Sequence, residues 1–160
     1  MNIMRIKLFI AVLLLCISVH AYTQEPDNHL GWSESELKKE IPDLLEIRKE
    51  GDVVVYAKGS GGEGFNFYYI LKSNVVVTEM NLLLSKDELV KKTYDILLES
   101  YIGLYPSNLE TKDKNGAFFR FSTFTLELSY IVDGEMNTMR TVFQMVANSQ
   151  TNNSSTSPVK

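Results

Sequence analysis

Residues 53–84, VVVYAKGSGGEGFNFYYILKSNVVVTEMNLLL, decide how the chain folds. Three runs within it, Val53 to Lys58, Phe65 to Lys72 and Val75 to Leu84, are rich in β-branched and aromatic residues and are separated by glycine, serine and asparagine. Such runs suit a pleated, half-buried surface, and the residues between them tolerate tight turns. A three-stranded antiparallel meander is the expectation. Alternation puts Phe65, Phe67, Tyr69 and Leu71 on one face of the middle run and Asn66, Tyr68, Ile70 and Lys72 on the other.

Helices flank this meander. On its N-terminal side Ser33 stands three residues before Glu36, and Trp32 and Leu37 sit where a hydrophobic staple crosses a helix cap. Pro42 stops that helix after little more than two turns. Asp43 to Glu50 reads either as a second helical turn or as an extended approach to the first strand. On the C-terminal side Ser85-Lys86-Asp87-Glu88 is a second capping box. It opens a helix with Val90, Tyr94, Leu97, Leu98 and Tyr101 at helical spacing, ended by Gly103 and Pro106. Asn115-Gly116 then turns into a strand from Ala117 to Ser122, Phe124 to Val132 alternates, and Asp133-Gly134 turns into a last strand near Thr138 to Ala147.

The expected fold class is α+β, with two helices packed on an antiparallel sheet. Residues 33–37 and 85–89 both read Ser-x-x-Glu-Leu before a helix and three strands, which suggests a tandem α-β-β-β duplication; a coincidence of two capping boxes accounts for the same residues. Phe65, Phe67, Tyr69, Phe119, Phe121, Phe124, Tyr130 and Phe143 are assigned to the core beneath the helices. Tyr68, Ile70 and Phe118 then fall on the opposite face, and left uncovered they present the aromatic and apolar area that interfaces use.

The first twenty-one residues read as an export signal. Arg5 and Lys7 supply the positive start, Ile6 to Val19 an apolar run too short to span a membrane, and Val19-His20-Ala21 a cleavage site. Residues 22–31 are expected to be a flexible lead-in, 32–147 one domain and 148–160, rich in serine, threonine and asparagine, a disordered tail. The address is the periplasm or the extracellular space of a bacterium, with no stable membrane insertion after cleavage. Cleavage removes the sole cysteine, Cys16, so no disulfide supports the domain. It also leaves fourteen basic against twenty acidic residues, a net charge of about −6. No nucleic-acid partner is expected, since phosphate would be repelled.

Little site chemistry remains. Gly59-Ser60-Gly61-Gly62-Glu63-Gly64 matches G-x-G-x-x-G, but a strand follows it where dinucleotide binding needs a helix N-terminus, and Glu63 would repel phosphate. A mobile hairpin connection is the expectation. His29, the one imidazole after cleavage, sits among Glu25, Pro26, Asp27 and Asn28 and reads as an exposed residue of a loose segment. No histidine or cysteine pair exists to hold a metal, and no cofactor is expected. Glu79 and Glu127 are the candidate acids for glycoside hydrolysis, yet pairing of Glu127 with Arg120 or Arg140 on a solvated sheet face explains them more simply. No enzyme is expected.

The capped helix that starts at Trp32, Ser33, Glu36 and Leu37, runs through a short acidic and lysine-rich stretch to a proline, and precedes an aromatic β-meander resembles small exported modules of the beta-lactamase-inhibitor-like and BamE-like type. The resemblance spans Trp32 to Ala147 and implies a binding role for one sheet face, with no catalytic residues to carry over. This chain lacks both the disulfides of the first type and the lipid-bearing cysteine of the second. The functional expectation is an exported binding module that engages a protein or another envelope component through Tyr68, Ile70 and Phe118. The alternative is a periplasmic hydrolase inhibitor or immunity-type protein that uses the loop around Gly61 and Glu63.

Overall fold

The computed structural model describes residues 25–146. The expected leader, the start of the lead-in and the expected tail at 148–160 lie outside the described residues. Among the described residues eight strands form a single antiparallel sheet, and two helices pack against it. Helix α1 (Glu34–Glu40) leads into β1 (Leu45–Glu50), β2 (Val53–Lys58), β3 (Gly64–Lys72) and β4 (Val75–Ser85). Helix α2 (Leu89–Leu104) and a 3-10 turn (Pro106–Asn108) lead into β5 (Leu109–Lys112), β6 (Gly116–Arg120), β7 (Phe124–Asp133) and β8 (Met136–Met145). The strand order is β1-β2-β3-β4-β8-β7-β6-β5, so two meanders join through β4 and β8.

The α+β class is as expected, but each half holds four strands after its helix rather than three. The missing members are the two edges. β1 carries Glu46, Arg48, Lys49 and Glu50 and a register shift between Glu46 and Arg48; β5 has four residues and a shift between Leu109 and Thr111. Short, charged, bulged strands are how sheets blunt their edges against stray pairing, and they carry little of the apolar alternation that announces a strand. A further internal match lies beside them: Pro42-x-x-Leu45-Glu46 and Pro106-x-x-Leu109-Glu110 each end a helix and enter an edge strand.

The two Ser-x-x-Glu-Leu segments occupy comparable places and cap differently. Ser33 pairs with Val75 at the start of β4, and Ser85 with Asn137 near the start of β8. Ser33 forms its capping box with Glu36. Ser85 does not: it stays in β4, α2 starts only at Leu89, and Asp87 Oδ1 accepts the Leu89 N–H instead. The β4–β8 ladder holds Ser85 in extended backbone and so delays the helix. At the other end α2 runs through Gly103 to Leu104, and Pro106 stops it.

Both helices lie on the same face. Tyr69 pairs with Glu79, Glu79 with Phe143 and Phe143 with Leu126, which places the cores of both halves on one side of the sheet. Under α1, Leu37 is fully buried among Val54, Tyr56, Tyr69, Leu71 and Val76. Under α2, Val90, Tyr94 and Leu98 meet Phe119, Phe121, Phe124, Leu126, Leu128, Met139 and Phe143. Leu30 packs against both clusters. Of the aromatics assigned to the core, Phe65 is the exception at 61% exposed: it lies in the β3 stretch that the short α1 does not reach, stacked on half-buried Phe67.

The segment before α1 is no loose lead-in from Glu25 onward. Gly31 N–H donates to Val76 O, Val76 N–H to Trp32 O and Glu34 N–H to Asn74 O, and Pro26 is buried. Backbone groups paired this way fix the segment over the junction of the two cores.

Candidate functional site

The face opposite the helices bears no helix among the described residues. Across it the register sets one row through every strand: Leu45, Ala57, Tyr68, Met80, Val142, Glu127, Phe118 and Thr111. A neighbouring row holds Val55, Ile70, Thr78, Gln144, Thr125 and Arg120. Tyr68, Ile70 and Phe118 therefore share this outer face, as the alternation predicts, with Tyr68 and Phe118 four strands apart in one row. At about 4.8 Å per strand the row is about 34 Å long.

The outer face has two characters. Around Tyr68 it is apolar, with half-buried Val55, Ala57, Ile70, Met80, Leu82 and Val142 and exposed Leu45. Around Phe118 it is charged and internally paired. Arg140 bonds the Glu127 carboxylate and donates from Nε to Ser129 Oγ at 3.2 Å. Arg120 bonds Glu110 and lies over the Phe118 ring at 5.7 Å, and the Glu110 partner raises the Arg120 pKa. Beside Phe118 a hollow of about 370 Å³ is lined by Thr111, Lys112, Asp113, Asn115, Gly116, Glu127 and Ser129.

The glycine loop borders the same face. Asn66, on the Tyr68 side of β3, is 1% exposed because the loop folds over it. Gly61 N–H donates to Asn66 Oδ1 at 2.7 Å, and Asn66 Nδ2 donates to Gly62 O at 2.8 Å. The expected mobile hairpin is thus pinned by a buried side chain, while Ser60, Gly61 and Glu63 stay exposed. Gly59, with φ +124°, is required: a Cβ there would stand 2.5 Å from Asn66 Oδ1 and 2.8 Å from Phe65 O.

On the helix face the structure corrects the reading of His29. Its backbone N–H donates to Glu79 Oε2 at 2.8 Å, and its ring Nδ1 lies 2.9 Å from the same oxygen. Trp32 and Tyr69 meet the ring edge-on, at 4.7 and 5.5 Å between centroids. Glu79 is 4% exposed and takes a third bond from Asn81 Nδ2 at 3.1 Å. Burial first, then the charge of Glu79, pushes the Tyr69 phenol above its usual range. A contact fifty residues away in sequence is invisible to local pattern, and a glutamate at an inward strand position was its one signal.

Glu79 and Glu127 lie on opposite faces of the sheet, so they cannot flank one sugar as a catalytic pair. Among the described residues no three histidine, cysteine, aspartate or glutamate side chains converge on a metal position. Among them also, no helix is long and apolar enough to cross a membrane. Comparisons with protein-family models, with curated proteins and with solved structures gave no match.

Proposed function

We propose that this chain is an exported, non-enzymatic binding module that holds a protein or another envelope component against the outer face of its sheet. The carrying observation is that both helices sit on one face while the other, uncovered among the described residues, carries an apolar stretch from Leu45 through Tyr68 and Met80 to Val142, with Phe118 beyond Glu127 in the same row. A face about 34 Å wide and five to six residues deep offers on the order of 700 Å², close to the ~800 Å² per partner of a standard interface. The apolar Tyr68 side would form the desolvated centre and the charged Phe118 side the rim. The leader supplies the address, and the resemblance of Trp32 to Ala147 to exported binding modules agrees with the role. Tyr68→Ser with Ile70→Ser should leave the circular dichroism and thermal melt near wild type and abolish crosslinking to envelope partners. Undiminished crosslinking by the folded double variant would refute the assignment.

The inhibitor reading is favoured by one observation, the Asn66 bracing of an exposed loop that carries Glu63 close to exposed Phe65. A braced loop loses less conformational freedom when it enters a cleft. Deleting Ser60 to Glu63 should remove inhibition of an envelope hydrolase; inhibition that survives the deletion rules this reading out.

A further inference from the structure

We infer that the hollow beside Phe118 is a binding site for a neutral sugar ring. This inference rests on the outer face being a binding surface and names the chemistry of one end of it. At about 370 Å³ the hollow falls in the lower part of the range of small-molecule sites. Its shape follows from Gly116. That residue stands two places before Phe118 on β6, in a row with Ser129 and Arg140, and supplies no side chain there. A Cβ would come within 2.6 Å of Leu128 O, so the close approach of β6 to β7 keeps the position empty. Arg120, two residues beyond Phe118 on the other side, covers one flank of the ring and leaves the Gly116 flank to the hollow.

The lining selects a ligand class. Lys112 and Asp113 balance in charge, as do Glu127 and Arg140, so an ionic ligand finds no net counter-charge. The β6 backbone beneath is paired to β5 on one side and β7 on the other, and β5, whose outer side is the sheet edge, has four residues and a register shift, which disfavours strand addition by a peptide. The Thr111 hydroxyl, the Lys112 ammonium and the Asn115 amide have no side-chain hydrogen bond among the described residues, and Glu127 has a second carboxylate oxygen beyond the one bound to Arg140. A flat aromatic flank ringed by hydroxyl, amide and carboxylate groups matches a pyranose, which has an apolar C–H face and a rim of hydroxyls.

The test is an amide-resonance NMR titration of the full chain with D-glucose, D-galactose and N-acetyl-D-glucosamine, alongside glucuronate and an uncharged tripeptide. The expected result is saturable shifts at Thr111 to Phe118, Glu127 and Ser129 with at least one neutral sugar, at a millimolar dissociation constant. Phe118→Ala should weaken it about tenfold. Asn115→Ala, on an exposed turn, should weaken it severalfold and decides the matter if the Phe118 variant does not fold. The absence of saturable shifts with all three sugars, or shifts centred elsewhere, overturns the inference. Tighter binding of glucuronate or the tripeptide at these residues overturns the ligand class. The Tyr68→Ser, Ile70→Ser variant separates the two readings: sugar shifts persist in it when partner capture is lost, and capture by wild type with no sugar shifts overturns the sugar site alone.

Discussion

The sharpest stability prediction concerns Glu79, because two substitutions of one residue should differ several-fold in cost. Its carboxylate is almost fully buried and accepts from the His29 backbone, the His29 ring and Asn81. Glu79→Ala leaves these donors without their acceptor and opens a cavity at the junction of the cores. Losing one member of a buried, hydrogen-bonded polar set costs about 3–5 kcal/mol. For a domain of this size that lowers Tm by roughly 10–20 °C. Glu79→Gln has the same shape. Its carbonyl can take both His29 contacts, since these converge on one oxygen, but its new amide would face the Asn81 amide donor-to-donor. Among the described residues Asn81 Oδ1 is buried with no partner, so a flip of the Asn81 side chain turns that oxygen toward the glutamine and removes the clash, at the cost of leaving Nδ2 in the unpartnered place. The expected cost is about 1 kcal/mol. Urea unfolding followed by fluorescence of Trp32, the sole tryptophan and a neighbour of His29, reads both variants. An alanine variant within about 1 kcal/mol of wild type, or a glutamine variant as damaged as alanine, would refute this account of the junction.

Three further outcomes follow from the geometry. Asn66→Ala leaves Gly61 N–H and Gly62 O without their partner; it should cost about 2 kcal/mol and make residues 59–64 the first site of limited proteolysis, read by mass spectrometry. Leu37→Ala, at the centre of the α1 core, should cost about 2–5 kcal/mol in chemical denaturation, while Ile47→Ala, 56% exposed on the edge strand, should stay within about 0.5 kcal/mol. The phenols of Tyr69 and Tyr101 are raised chiefly by burial, so the folded chain holds their protons more tightly than the unfolded chain does. Their contribution is complete below the ordinary phenol value of about 10 and is lost as pH rises through the raised values; the tyrosinate absorbance that Tyr69→Phe and Tyr101→Phe remove should therefore appear together with loss of the fold, and ionisation of these two at constant circular dichroism would contradict it.

The central strands and α1 were legible because their signals are local. The expected runs at residues 53–58, 65–72 and 75–84 agree with β2, β3 and β4 to within one residue, since period-two alternation of Val, Phe, Tyr and Leu leaves few other structures open. The outer-face positions of Tyr68, Ile70 and Phe118 follow from the same alternation. β1 and β5 were hidden because an edge strand is selected against looking like a good strand: Glu46, Arg48, Lys49 and Glu50 answer to solvent, and a bulge breaks the period. His29 and Asn66 were hidden for a different reason. Each is decided by a partner brought close only by the finished sheet or by the loop's final path, Glu79 in one case and the carbonyls and amides of the glycine loop in the other.

The edges also bear on where recognition can occur. A sheet offers a partner its edges or its faces. Both edges here are short or charged and both are bulged, which disfavours strand addition. Inner strands have their ladders closed on both sides, so a partner on the outer face meets side chains and not backbone. The helix face is taken by the two cores and by the Glu25–Trp32 segment tied to Glu79 and Val76. The charged groups near Phe118 are bonded to one another, which lowers the cost of covering them, whereas the apolar stretch from Leu45 to Val142 has no cover among the described residues. In the proposed complex, contact energy should therefore concentrate on the half built by β1 to β4, with β5 to β8 setting register and specificity. Substitutions at Tyr68 and Met80 should raise the dissociation rate of a bound partner, while those at Glu127 and Arg140 should change the association rate and its dependence on salt.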